Sequence, residues 1–142
     1  MQMRQAWRAA AALALLLQAG AAAAAEGPAV RIELNRLEAL DKACRVYLVL
    51  ANAGTESFDS FKLDLVLFDT DGVIARRLAV EAAPLRAEKT SVKLFDLDGL
   101  ACDKVGTVLV NDVLACSTAK GPVEDCVARV ETASRASAKL VK

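Results

Sequence analysis

FKLDLVLFDTDG, residues 61–72, decides the fold because it can be read from either end. From its start, Phe61, Leu63, Leu65 and Leu67 fall on one face, with Lys62 and Asp64 on the other. A two-residue period of this kind marks a half-buried antiparallel strand. From its end, an apolar run closes on Asp69-Thr70-Asp71-Gly72, which is either an acid pair with chemistry to perform or a tight turn. The motif nearly repeats at Leu94-Phe95-Asp96-Leu97-Asp98-Gly99, so one answer must serve both places.

The flanking sequence has the strand period. VRIEL places Val30, Ile32 and Leu34 on one face, and CRVYLVLAN does the same with Cys44, Val46, Leu48 and Leu50. TSVKLF alternates through Val92 and Leu94, which are expected to point inward, and VGTVLVNDVLAC is a last long Val-rich strand. VIARRLAV is a fourth strand, and Arg76 and Arg77 mark it as a protected edge. Asn111-Asp112, polar inside an apolar strand, reads as a bulge or face switch. Turn-forming stretches separate the runs, as ANAGTES, DTDG, PLRAEK and DLDGLACDK. About six short strands with this spacing predict an all-β antiparallel sandwich over 26–118.

After Cys116 the pattern changes. Pro122 stands at a first helical position, Glu124 and Asp125 in the first turn, and Val123, Cys126, Val127 and Val130 share a helical face. Residues 119–142 are therefore expected to form a short C-terminal helix and a frayed tail.

The first residues bear on compartment. MQMRQAWR carries Arg4 and Arg8 and no acid, an apolar run follows from Ala9 to Leu17, and an Ala-rich stretch ends before Glu26. This is the pattern of a secretory signal peptide, 1–25, cut after Ala25, and its nine-residue core is too short for a membrane anchor. Export to the periplasm or beyond follows as the expected localisation. Removing the two arginines leaves 16 basic against 18 acidic residues, a net charge of −2. A weakly acidic domain without a basic stripe is a poor nucleic-acid or anionic-membrane binder. The four cysteines, Cys44, Cys102, Cys116 and Cys126, read as two disulfides in an exported chain. The chain contains no histidine, which removes Ser-His and Cys-His nucleophile pairs and imidazole metal sites.

The Asp-x-Asp-Gly motifs resemble the nucleophile loop of haloacid-dehalogenase-type phosphatases. That resemblance would make Asp69 or Asp96 the nucleophile, and Asp71 or Asp98 the acid-base group beside magnesium. The family's strand lies mid-sheet and is apolar on both faces, whereas Lys62 and Asp64 interrupt this one. Only residues 73–90 separate the motifs, too few to hold the helices such a fold requires. Calcium is a second alternative, with Asp69, Asp71, Asp96 and Asp98 as weak candidate ligands. An EF-hand is ruled out, because the twelfth positions are Val80 and Thr107 rather than Glu. The preferred reading is structural: Asp71-Gly72 joins strands three and four as a two-residue turn, and Asp98-Gly99 opens the loop to strand six. No cofactor or metal is expected on that reading.

From Val46 to Phe95 the order of features resembles the FxLYD type of immunoglobulin-like domain. It is carried by VYLVLAN ending in Asn52, FKLDLVLFDTDG with Phe68, Asp69 and Gly72, and PLRAEKTSVKLF. Phe68 stands where the family has Tyr, and Arg86-Ala87-Glu88 where it has Pro-Gly. The whole chain is also similar to small exported bacterial proteins. The resemblance implies an immunoglobulin-like sandwich and little about activity. It also implies that strands two and five are antiparallel neighbours, which would put Cys44 at the same end as Cys102. Cys116, a strand away, would then be left to Cys126. The expected role is a non-enzymatic module that binds or steadies an envelope protein of unknown identity.

Overall fold

ACRVYLVLAN buries every second side chain, and this strand, β2 (Ala43–Asn52), sets the register of one sheet. The computed structural model describes residues 30–142; the expected signal peptide, 1–25, lies outside them. β1 (Val30–Ala39) and β5 (Lys89–Asp98) flank β2, both antiparallel to it. Beyond β1, β8 (Val130–Ser134) adds a parallel strand, giving the order β5-β2-β1-β8.

The second sheet grows from FKLDLVLFD in β3 (Phe58–Asp69). β4 (Ile74–Glu81) is the edge on one side and β6 (Val105–Thr118) the neighbour on the other. The two-residue β7 (Gly121–Pro122) and the parallel β9 (Lys139–Val141) both pair with β6. Leu63, Leu65 and Leu67 of β3 pack with Ile32, Leu34, Val46, Leu48 and Leu50 in a single core. The all-β, two-sheet architecture is thus as expected, although the strands among the described residues number nine rather than about six.

The expected C-terminal helix is absent. Within 119–142 the only helical feature is a four-residue 3-10 turn, Cys126–Arg129, entered through Asp125 in the left-handed region. Pro122 lies in β7 opposite Ser117 instead of opening a helix. The spacing of Val123, Cys126 and Val130 fits a helical face, but Val130 belongs to β8 and only Cys126–Arg129 makes a helical turn. Open backbone on β1 and β6 captures the segment instead: Val130 pairs with Val30, Leu140 with Val108, and both become buried. The two-sheet domain therefore extends past 118 to residue 141.

A second correction concerns β5. Val92 and Leu94 point outward, 59% and 51% exposed, while Phe95 and Leu97 pack inward. Residues directly opposite on paired strands share a face. Val92 stands across from Val49 and Leu94 across from Tyr47, so the buried set of β2 forces both outward.

The disulfides are Cys44–Cys102, with Cα atoms 4.9 Å apart, and Cys116–Cys126, at 6.4 Å. The first ties β2 to the 3-10 turn Cys102–Lys104 that carries the chain between sheets; the second ties β6 to the Cys126 turn. Two bridges and no free cysteine among the described residues fit an oxidising compartment. No described helix is long and apolar enough to cross a membrane.

Candidate functional site

The acidic motifs resolve into separate structural parts. Asp69 ends β3, and its Oδ1 accepts hydrogen bonds from the backbone N–H groups of Asp71 and Val73, each at 2.9 Å. The turn holds three residues between Asp69 and Val73, not two, and of the Asp71-Gly72 pair only Gly72 has positive φ. A three-residue hairpin of this kind needs its left-handed residue at the last position, where glycine carries no Cβ to clash. Asp71 is exposed. In the second motif Gly99 also has positive φ, its N–H donates to Lys42 O, and Asp98 is exposed.

Asp96 stays on β5 and accepts two hydrogen bonds from Arg45, at 2.8 and 3.0 Å. That ion pair holds the Asp96 carboxyl below its ordinary range. Among the described residues, no three Asp, Glu, Cys or His side chains gather in a metal-binding group. Asp69, Asp71, Asp96 and Asp98 are therefore not brought together on one point.

Asn111, the expected bulge, is the extra residue of β6 between the pairs Asp64↔Asp112 and Leu65↔Val110. Its Nδ2 donates to Asp64, which also takes both hydrogen bonds of Arg77. Asp64 faces outward, as its place in the alternation requires, yet is only 3% exposed because these two side chains cover it. Arg77 is thus occupied, while Arg76 is set on the core-facing side of the β4 edge. Nearby, an open recess of about 450 Å³ is lined by Leu109, Val110, Asn111, Val127, Ala128 and Lys142, with no carboxylate, hydroxyl or thiol among them. The Lys142 amine in it donates to the carbonyl oxygens of Val127 and Ala128.

The outer face of β5-β2-β1 is organised differently. Its paired side chains form rows: Arg31, Ala51 and Thr90; Glu33, Val49 and Val92; Arg36, Tyr47 and Leu94; Glu38, Arg45 and Asp96. Val49, Val92, Tyr47 and Leu94 make an apolar block beside the β5 edge, which no strand among the described residues pairs. The β1 column alternates charge, and its members neutralise one another through Arg31–Glu33 and Arg36–Glu38. The Arg36 guanidinium lies 5.8 Å from the centre of the Tyr47 ring, and the Tyr47 hydroxyl donates to Glu38. That hydrogen bond, then burial, raises the Tyr47 pKa above its ordinary value. Tyrosine and arginine held rigid beside exposed apolar side chains are the residue types that carry binding energy at protein interfaces. The sequence reading missed this surface because it placed Val92 and Leu94 in the core. The signal was available in Phe95 and Leu97, which mark the opposite face of the same strand.

No known family model matches the chain, and no curated protein matches it. A solved structure, IrmA from Escherichia coli, is similar in fold, with a TM-score of 0.55 and 15% sequence identity over 72% of this chain and 89% of that one. At that identity the likeness is one of fold alone.

Proposed function

We propose that the chain is an exported, non-enzymatic interaction module of the cell envelope, and that it docks a protein partner on the outer face of β5 and β2. The observation that carries this reading is the block of Val49, Val92, Tyr47 and Leu94, which lies at an unpaired strand edge where no part of the described chain covers it. Contiguous apolar surface with a polar rim is the usual mark of an interaction site. Two disulfides and the signal-like first residues support export. A chain without histidine, whose Asp69 and Asp96 serve a turn and an ion pair, supports a role other than catalysis.

The test is photo-crosslinking in the periplasm from two positions, Leu94 on the proposed face and Ala79 on the other sheet. A protein captured from Leu94 alone, and lost when Tyr47→Ala is added, supports the reading. Equal capture from both positions, or none, rejects it. Magnesium-dependent turnover of a phosphate ester that disappears in Asp69→Asn would reject it as well.

A further inference from the structure

The β5 edge has two sides with different chemistry. Its outward residues at the centre, Val92 and Leu94, are apolar. Its core-facing positions run Lys89, Ser91, Lys93, Phe95 and Leu97, since Lys93 stands opposite the buried Leu48 and Lys89 opposite Asn52. Among the described residues neither lysine is in an ion pair. Arg76 is likewise unpaired and core-facing on β4. β8 and β9 close the opposite side of the sandwich, so β5 and β4 border the same mouth between the sheets. Core-facing cations without an ion pair thus stand on both of these edges, Lys89 and Lys93 on β5 and Arg76 on β4.

Inward-pointing charge on an edge strand discourages indiscriminate pairing. A second copy does not fit here. The two acids of β5, Asp96 and Asp98, both lie on the outward register, so self-pairing brings lysines to the core side with no counter-charge. Resting on the docking reading above, we propose that β5 accepts an extended partner segment in which apolar and acidic residues alternate. Backbone hydrogen bonds extend the sheet. The segment's apolar residues pack beside Val92 and Leu94, and its carboxylates meet Lys93 and Lys89 at the mouth.

Three synthetic seven-residue peptides, alternating Val with Glu, Gln or Lys, test this against the exported protein by fluorescence anisotropy. The Glu peptide is expected to bind about tenfold tighter than the Gln peptide and the Lys peptide weakest. Lys93→Glu, an edge substitution that should fold normally, is expected to reverse the order, and amide exchange in β5 should slow when peptide binds. Leu94→Ser should weaken all three. Charge-independent binding, an unchanged order in Lys93→Glu, or no binding by any peptide overturns the proposal. Partner capture from Leu94 that survives such a result would leave the docking face standing and remove only the acidic-strand specificity.

Discussion

Asp64 on β3 accepts both guanidinium hydrogen bonds of Arg77 on β4, at 2.9 and 2.7 Å, on the outer face of the second sheet. The pair is asymmetric: the acid side chain is 4% exposed and the arginine 65%. Removing the acid leaves an arginine that water can hydrate and a vacated spot beneath it. Removing the arginine uncovers the acid to water. Asp64→Ala also strands the Asn111 amide, so it is expected to cost about 2–3 kcal/mol, and clearly more than Arg77→Ala, which removes a largely exposed partner. Urea unfolding of the two variants measures the difference. Equal losses would show that covering the acid is not what the arrangement achieves.

Acid should destabilise the fold through a few identifiable groups. Arg77 and then Asn111 hold Asp64 below its ordinary pKa of 3.8; Arg45 does the same for Asp96. Asn35, then Arg135, hold Glu33 below 4.5. A folded-state pKa below the unfolded one means that the unfolded chain binds more protons as pH falls. The contribution is thus complete above the ordinary values and is lost as pH drops through them toward the depressed ones. Urea midpoints should hold steady near neutrality and fall below about pH 4, with a shallower fall in Asp64→Asn.

Tyr47 is the chain's one tyrosine, so its ionisation can be followed alone by ultraviolet absorbance. Its hydrogen bond to Glu38 should place the titration midpoint above the ordinary 10.0. A raised folded-state value contributes stability that is complete below the ordinary pKa and is lost as pH climbs through the raised one. Glu38→Gln should move the midpoint back down. An unmoved midpoint would mean that the hydroxyl is not held by that carboxylate in solution.

The Asp69 carboxylate accepts two backbone hydrogen bonds in the hairpin that follows it. Asp69→Ala is expected to cost about 1 kcal/mol, and Asp69→Asn less, since an amide oxygen can still accept. Asp71→Asn should be neutral. Millimolar calcium should leave the melting temperature unchanged. A calcium-dependent rise abolished by Asp71→Asn and Asp98→Asn would restore a metal role to these loops.

Chain entropy sets the expected worth of the bridges. Closing separations of 58 and 10 residues corresponds to about 4 and about 3 kcal/mol for Cys44–Cys102 and Cys116–Cys126. Paired Cys→Ala variants, unfolded in urea, test the ranking. Non-reducing peptide mapping tests the connectivity, and recovery of a Cys44–Cys116 peptide would reject the strand order.

Alternation alone made β1, β2 and β3 legible, because in each an unbroken series of alternate apolar residues marks the inner face and charged residues such as Arg31, Arg45 and Lys62 mark the outer one. β5 failed the same method. Val92 and Leu94 compete with Phe95 and Leu97 as the apolar face, and a one-residue error in phase turns every side chain over. Only the pairing with β2 decides, and pairing is a property of two strands. The C-terminal segment was misread for a related reason. Val130 and Leu140 sit in strands of five and three residues, too short to show a period. The burial of Asp64 depended on Asn111, 47 residues away. Gly106 was not singled out, although a Cβ there would fall 2.5 Å from the carbonyl oxygen of Asp69, so the close seating of β6 under the hairpin requires glycine.

Val30 pairs with Val130, and Val108 with Leu140. A polypeptide delivered amino end first must therefore wait for residues 130–141 before either layer gains these ribbons. Until then the ladder groups of β1 and β6 stand open to any passing chain, and quality-control proteases have their best opportunity in that interval. Lesions after residue 129 should thus lower the yield of folded protein far more than their few contacts would suggest.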